Sequence, residues 1–355
     1  MGIKLIKIKT PRGERKIGPD QPVFIIAEMS GNHNQSIDRA YEIIDAAVLA
    51  GVDAVKLQTY TPDTMTIDCN KEVFKVGDNN VWKGQTLYQL YSQAYTPWEW
   101  QPKLKEYGEK KGILVFSTPF DETAVDFLEE MNVELYKVAS FEVGDLELLK
   151  KIGKTKKPVI ISRGLASLQN IKTAVKTLKR AGTSQVAVLH CVSSYPAIPE
   201  QMNLATIPDI AKKLKVVSGL SDHTLGATVS LASIGLGAKI IEKHFTLKRS
   251  DGGPDAGFSL EPQEMKELVL AIREAEKAIG LPTYKIGKRE QENLIFRRSL
   301  FAVADIKKGE KLTRQNVRCI RPGYGLEPKN LNKVIGRTAA CQIDRGTPLD
   351  WKLLK

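Results

Sequence analysis

The sequence predicts an α/β protein: a (β/α)8 TIM barrel followed by a small β-rich C-terminal domain. Two observations predict the barrel. Eight short, mostly continuous apolar runs recur between Val23 and His244, and amphipathic helical patterns fill most of the intervals. Continuous apolar runs suit parallel strands buried on both faces, and eight strand–helix units make such a barrel. The third observation is a change of texture after residue 284, where short alternating runs and Gly-containing turns replace the helical patterns.

In order, the strands are expected at "VFIIAE" (23–28), "AVKLQT" (54–59), "ILVFST" (113–118), "LYKVAS" (135–140), "PVIISR" (158–163), "VAVLHC" (186–191), "KVVSGL" (215–220) and "KIIEKH" (239–244). The first helix, "SIDRAYEIIDAAVLAG", has Ser36 as its N-cap and Gly51 at its C-terminal end. "DETAVDFLEEMN", "SLQNIKTAVKTLKRAG" and "TLGATVSLASIGLG" repeat the scheme, and "EPQEMKELVLAIREAEKAIG" closes it. A doubly wound sheet is the alternative, because strand order is not readable from one sequence. The absence of a glycine-rich dinucleotide fingerprint after the first run speaks against it. The segment from Tyr60 to Trp100 breaks the rhythm. It includes "VWKGQTLYQLYSQAYTPWEW", and it reads either as a lid or binding element or as aromatics capping the barrel mouth.

The barrel domain is expected at 1–284 and the small domain at 285–355. Composition is that of a globular protein, 42% hydrophobic and 26% charged. No apolar run is long enough to cross a membrane, and the charged N-terminus lacks a signal-peptide core. Four cysteines without C-x-x-C spacing read as reduced thiols in a cytoplasmic protein. The net charge of +12 is concentrated after residue 284, where 17 Lys/Arg face 7 Asp/Glu. These cations are spaced singly, without interleaved aromatics, so nucleic acid is not the expected partner.

In a barrel, polar residues at the C-terminal strand ends line one pocket. Here they are Glu28, Lys56 with Gln58, Ser117, Lys137 with Ser140, Ser162, His190 with Ser193, Ser221 with Asp222 and His223, and Glu242 with His244. His223 and His244 end neighbouring strands, so their imidazoles can converge on one cation. Two His with oxygen ligands suit Mn2+ or Mg2+ better than a closed zinc site. The alternative is a His that only hydrogen-bonds the substrate. Lys56 and Lys137 with Ser140, Ser162 and Ser193 suit a phosphate or carboxylate. The alternative for either Lys is a buried pair with a carboxylate such as Glu28. Glu28 and Asp255 can act as acid, base or acceptors of sugar hydroxyls. A cation, an anion cradle and carboxylates in one mouth suit condensation or lyase chemistry on a phosphorylated acid.

The ordered motifs "FIIAEMSGNHN", "VKLQT", "STPFD", "YKVAS", "HCVSSYP", "GLSDHT", "EKHFT" and "GGPDAGFSLEP" resemble the sialic acid synthase family over nearly the whole chain. The resemblance implies a TIM barrel followed by an SAF, or antifreeze-like, domain. It implies metal-dependent condensation of phosphoenolpyruvate with an N-acetylated amino sugar, giving a nine-carbon 2-keto acid and phosphate. By motif, His223 and His244 match the metal ligands. Lys56, Lys137, Ser140, Ser162, Ser193 and Ser221 match contacts to phosphoenolpyruvate, and Glu28, Gln58, Tyr195 and Asp255 match positions facing the acceptor. Two positions depart from the pattern: the family often has Asn at Ser193, and Arg163 stands where a small residue is common. The resemblance further implies a domain-swapped homodimer, in which Arg321 of "RPG" reaches the acceptor in the partner's barrel and the basic surplus meets that anionic mouth.

"NHNQSIDRA" and the aromatic-rich segment are most similar to the pseudaminic acid synthase branch, which takes 2,4-diacetamido-2,4,6-trideoxy-L-altrose. N-acetylneuraminate and legionaminic acid synthases are the alternatives. Two readings from other classes are a basic binding module on a vestigial barrel and a metal-dependent aldolase using free pyruvate.

Overall fold

A computed structural model of the chain describes residues 2–77 and 82–355; Val81, the first residue of the aromatic-rich stretch, lies outside the described residues. The chain divides into two compact units, Met1–Gly280 and Leu281–Lys355.

The first unit opens with an antiparallel hairpin, β1 (Ile6–Thr10) and β2 (Gly13–Ile17). Eight parallel strands follow: β3 (Phe24–Glu28), β4 (Ala54–Thr59), β5 (Leu114–Pro119), β6 (Tyr136–Val138), β7 (Val159–Ser162), β8 (Val186–Cys191), β9 (Val217–Asp222) and β10 (Ile240–His244). They close in sequence order, with β10 pairing β3. The predicted barrel is therefore the observed one, and the doubly wound sheet is excluded.

Two sets of apolar side chains hold the barrel. Phe24, Ile26, Leu114, Phe116, Ile160, Leu189 and Ile240 form one buried cluster. The alternate residues, such as Ile25, Val55, Val115, Ile161 and Ile241, join the clusters that pack the helices. This alternation is the period-2 geometry of a strand with helices outside and side chains filling the inside. Ile6, Ile8 and Ile17 of the hairpin belong to the inner cluster. They sit with the residues that begin the strands and close that end, leaving the C-terminal end for a cavity.

Helix boundaries follow local capping. Ser36 accepts the Arg39 N–H at the start of helix Ile37–Ala50, and Gly51 ends it at φ 82°. Ser167 caps helix Leu168–Ala181 through the Asn170 N–H. One expected strand was misplaced: the run 215–220 pairs only from Val217. Lys215 terminates the preceding helix, Thr206–Leu214, in the left-handed region at φ 55°, so the extended chain begins later. The N-terminal hairpin was not expected. Its signal was the alternation of Ile6, Ile8 and Ile17 around a turn at Gly13.

The second unit contains a two-stranded sheet, β11 (Ser299–Ala302) with β12 (Val317–Ile320), over a core that includes Leu300, Ile306, Leu312, Val334 and Ile343. Its two similar stretches, "DIKKGE" and "QIDRGT", meet back to back. Ile306 and Ile343 exchange both backbone hydrogen bonds, at 2.8 and 2.9 Å. Each stretch then turns at a glycine in the left-handed region, Gly309 and Gly346. Among the described residues no helix is long and apolar enough to cross a membrane.

Candidate active site

The inner phase of each strand changes from apolar to polar near its C-terminal end. Phe24 and Ile26 lead to Glu28, Ala54 to Lys56 and Gln58, Leu135 to Lys137, Ile160 to Ser162, and Ile240 to Glu242 and His244. These polar ends line a cavity of about 470 Å3. It gathers Glu28, Lys56, Gln58, Lys137, Ser140, Ser162, Ser193, Tyr195, Ser221, His223, His244 and Asp255. Every predicted site residue of the first unit is therefore present. Arg321 lies in the second unit, one residue beyond β12.

The same phase rule corrects three expectations. Ser117 and Asp222 lie on the outward phase: Ser117 Oγ meets Thr59 Oγ1 at 2.6 Å, and Asp222 pairs with Lys243 at 3.0 Å. His190 also faces outward, where its Nε2 meets the Met202 carbonyl and its Nδ1 accepts from Arg163 Nε at 3.1 Å. His33 lies behind the wall, 3.1 Å from Thr96 Oγ1 and edge-on to Trp100. Burial pushes its pKa down to about 4, so it is neutral. Arg163 is thus engaged with His190 and does not line the cavity.

Cations and carboxylates alternate across the cavity floor. Lys56 Nζ lies 2.5 Å from Glu28 Oε2 and 3.2 Å from Thr118 Oγ1. Lys137 Nζ donates to Ser162 Oγ at 2.7 Å and lies 3.4 Å from Glu242 Oε1, which also accepts from Ser221 Oγ at 3.0 Å. Burial pulls Lys137 below its usual value and is only partly opposed by Glu242. Burial pulls Lys56 down as well, but Glu242 and Glu28 outweigh it, and the net direction is up. Burial raises Glu28, whereas Lys137 and Lys56 overcome the burial of Glu242 and hold it low. The two carboxylates are thus shifted in opposite directions, Glu28 up and Glu242 down.

Ser140 Oγ and Ser193 Oγ are 2.8 Å apart beside this group. Gly164, at φ 36°, allows the approach: a Cβ there would stand 2.2 Å from the Ser140 Cβ and 2.4 Å from the Ser193 Oγ. Hydroxyls, an ammonium and a backbone with no side chain in the way make an anion cradle.

The two histidines flank the other side, with ring centroids 5.5 Å apart. His223 Nδ1 faces the Val192 carbonyl at 2.9 Å, and a carbonyl only accepts, so Nδ1 carries a proton and Nε2 is the nitrogen left to meet a ligand. Burial pulls the His223 pKa down, but Cys191, the Val192 carbonyl and Glu242 outweigh it, and the net direction is up. His244 Nδ1 is buried without a hydrogen-bond partner, 3.9 Å from Asp255 Oδ2. Burial, then His223, pushes His244 far below the usual imidazole value, so it is neutral. Two neutral-capable imidazoles, one with an orphaned nitrogen, fit a divalent cation. Among the described residues no group of three or more His, Cys, Asp and Glu is placed to hold a metal. A divalent cation held by this pair would take its remaining ligands from solvent or substrate oxygens. The Tyr195 ring lies tilted against His223, centroids 4.4 Å apart, and 5.7 Å from the Trp82 ring, roofing this side.

Four groups escaped sequence reading. Thr118 and Cys191 stand two residues after the inner Phe116 and Leu189, so the alternation alone locates them on the cavity phase. Ser30 lines the cavity and donates to Asp255. Glu142 lies in the turn Glu142–Gly144 after β6; burial pushes it up to about 7. No sequence signal marked it. The described residues of the segment from Tyr60 to Trp100 divide between the cavity and the packing around it. Tyr60, Trp82 and Tyr91 line the cavity, while Trp98 stacks on Phe127 and Trp100 packs on His33.

The model of the NeuB family matches residues 43–284, which carry most of this barrel and all but two residues of the site named above, Glu28 and Ser30. The chain belongs to the NeuB family. An SAF domain matches residues 297–355, so the NeuB barrel is followed by the small domain that the change of texture marked. A pseudaminic acid synthase of Campylobacter jejuni is 41% identical over 93% of this chain and 96% of its own length. An N,N'-diacetyllegionaminic acid synthase of Legionella pneumophila is 35% identical over 96% of this chain and 97% of its own. Among solved structures, an N-acetylneuraminic acid synthetase of Leptospira borgpetersenii in complex with citrate is 35% identical. It aligns with a TM-score of 0.71 over 79% of this NeuB chain and 92% of its own.

Proposed function

We propose that this chain is a pseudaminic acid synthase, condensing phosphoenolpyruvate with 2,4-diacetamido-2,4,6-trideoxy-L-altrose to give a nine-carbon 2-keto acid and phosphate. The observation that carries the reading is the single cavity holding a Lys–Ser anion cradle, a histidine pair and a split carboxylate pair. The pseudaminic acid acceptor is favoured by the 41% likeness to the Campylobacter jejuni enzyme, against 35% for the legionaminic acid enzyme. N-acetylneuraminate and legionaminic acid synthesis are the readings it must exclude.

In this proposal Lys137, Ser140, Ser162, Ser193 and Ser221 hold the phosphate and carboxylate of phosphoenolpyruvate, with Lys56 beside them. C3 of phosphoenolpyruvate bonds to the aldehyde carbon of the open-chain sugar, and the aldehyde oxygen takes a proton. Water adds at C2, and phosphate leaves with cleavage of its C–O bond. Glu28, whose burial favours the protonated form, is positioned by Lys56 and Gln58 to move a proton at the aldehyde oxygen or the water. Gln58, Tyr195 and Asp255 face the acceptor. Fixing both reactants in one buried cavity supplies part of the rate through orientation. His223 and His244 would hold a divalent cation, Mn2+ or Mg2+, which supplies Lewis-acid polarisation of the aldehyde when bound.

The proposal includes a homodimer in which Arg321 reaches the acceptor in the partner's barrel. It also places the enzyme in the cytoplasm, where its four unpaired cysteines stay reduced. The test is an acceptor panel with phosphoenolpyruvate and Mn2+, following phosphate release and product mass. Phosphate release and a product of the expected mass with the 2,4-diacetamido sugar support the reading. Preferential turnover of N-acetylmannosamine or of the legionaminic acid precursor replaces it, and turnover with free pyruvate would indicate an aldolase.

A further inference from the structure

Ser30 follows Glu28 by two residues and is buried in the cavity wall. Its φ is 47°, in the left-handed region that favours glycine. A residue with a Cβ persists there only when its surroundings hold it, and such positions gather at functional sites. What holds Ser30 is its hydroxyl. Gln58 Nε2 donates to Ser30 Oγ at 3.0 Å, and Ser30 Oγ donates to Asp255 Oδ2. The directions are set by chemistry, since an amide nitrogen only donates and a carboxylate only accepts. The single hydroxyl proton therefore belongs to Asp255. Gln58 Nε2 also donates to Glu28 Oε1 at 2.9 Å. A chain of four side chains thus runs from Glu28 through Gln58 and Ser30 to Asp255. It links the end of β3 to the loop after β10. The Lys137–Ser162 and Ser140–Ser193 contacts of the anion cradle lie outside this chain.

We propose that Ser30 is a positioning residue for the acceptor sugar. Its hydroxyl fixes the Asp255 carboxylate and, through Gln58, ties it to Glu28, so that both acidic groups meet the acceptor in one geometry. The strained backbone at Ser30 is retained for that hydroxyl. The inference rests on the synthase reading, and it assigns Ser30 to the acceptor half of the reaction, apart from phosphoenolpyruvate.

The experiment is steady-state kinetics in both substrates for Ser30→Gly and Ser30→Ala, with melting curves. Glycine suits the left-handed region, so Ser30→Gly is expected to melt at or above the wild-type temperature. Loss of a hydrogen bond to a charged group predicts a fall of about ten- to a hundredfold in kcat/KM for the acceptor. KM for phosphoenolpyruvate should move by less than about threefold, since the cradle is untouched. A folded Ser30→Gly with wild-type acceptor kinetics overturns the proposal. Equal losses for both substrates overturn it too, because they indicate a merely structural role. The wild-type acceptor panel separates the two claims. If the wild type works only with another acetamido sugar, the pseudaminic acid reading fails and the Ser30 kinetics are decided with that sugar. If it releases no phosphate with any of them, both fail.

Discussion

Lys243 Nζ lies 3.0 Å from Asp222 Oδ2, with both side chains wholly buried, and the two residues pair directly between β10 and β9. Each precedes a cavity histidine, so the outward ion pair clamps the strands that present His244 and His223 inward. Asp222 Oδ2 also accepts from Ser230 Oγ at 2.6 Å, and Lys243 Nζ donates to the Thr224 carbonyl. Removing one partner leaves an uncompensated buried charge, which costs about 3–5 kcal/mol. Asp222→Ala or Lys243→Ala is therefore expected to lose that much unfolding free energy in urea titrations. The double variant Asp222→Ala/Lys243→Ala should lose less than the two singles summed. Singles within about 1 kcal/mol of wild type would remove the clamp from the argument.

His223→Ala and His244→Ala should behave differently from the clamp variants. Each removes a candidate ligand but leaves no buried charge, so the fold should survive. Calorimetric titration with Mn2+ should show affinity reduced by about a hundredfold or more, since losing even a group that only orients a ligand costs about 10–100-fold. Wild-type Mn2+ affinity in either folded variant would dismiss the pair as a metal site.

The barrel was legible in the sequence because a parallel strand buried on both faces is a short continuous apolar run, and eight such runs alternate with helical patterns. The site was legible where a polar residue interrupted or ended such a run, as with Glu28, Lys137, Ser162 and His244. What failed was phase. Reading the last polar residues of a run without alternation admitted Ser117, His190 and Asp222, which lie on the outward phase, and missed Cys191, which lines the cavity, and Thr118, which meets the Lys56 ammonium. Glu142 and Ser30 were illegible for another reason. They lie in turns, where no period exists and position depends on backbone dihedrals such as the positive φ of Ser30.

Lys137 is buried, and its ammonium is matched by Ser162 and Glu242. If it holds the phosphate of phosphoenolpyruvate, Lys137→Met keeps most of the stem volume and deletes the charge. The expected result is a KM for phosphoenolpyruvate raised by about 10–100-fold, the worth of one charge-assisted hydrogen bond. Metal affinity should change far less. An unchanged KM for phosphoenolpyruvate would move the anion site elsewhere in the cavity.

Glu142 gives a pH signature. Burial raises its pKa from the usual 4.5 to about 7, opposed by its own backbone N–H and by Lys137. The folded state therefore binds more protons than the unfolded state between those values. Stability from this group is full below about pH 4.5 and falls as pH rises to about 7, then stays level. Glu142→Gln removes the penalty. It should be more stable than wild type at pH 8, by up to about 3 kcal/mol, and nearly equal to it at pH 4.5. Urea titrations at the two values check the sign; a pH-independent difference would show that Glu142 is not held protonated.

Arg321 tests the proposed exchange between subunits. It lies in the second unit, and the cavity's floor is complete within the first. If Arg321 serves the partner's cavity, an Arg321→Ala chain has an intact barrel and no useful arm. A His244→Ala chain has the reverse. In a mixed dimer one barrel then combines an intact histidine pair with an intact Arg321, so mixing two inactive preparations should restore activity. Random pairing makes half the dimers mixed, and one of the two barrels in each is competent. The recovered rate should approach about a quarter of wild type, a ceiling set by subunit symmetry. Each variant alone must stay inactive, and mixed dimers must be verified by mass. Absence of recovery in such dimers would mean that Arg321 acts within its own chain or not on the acceptor at all.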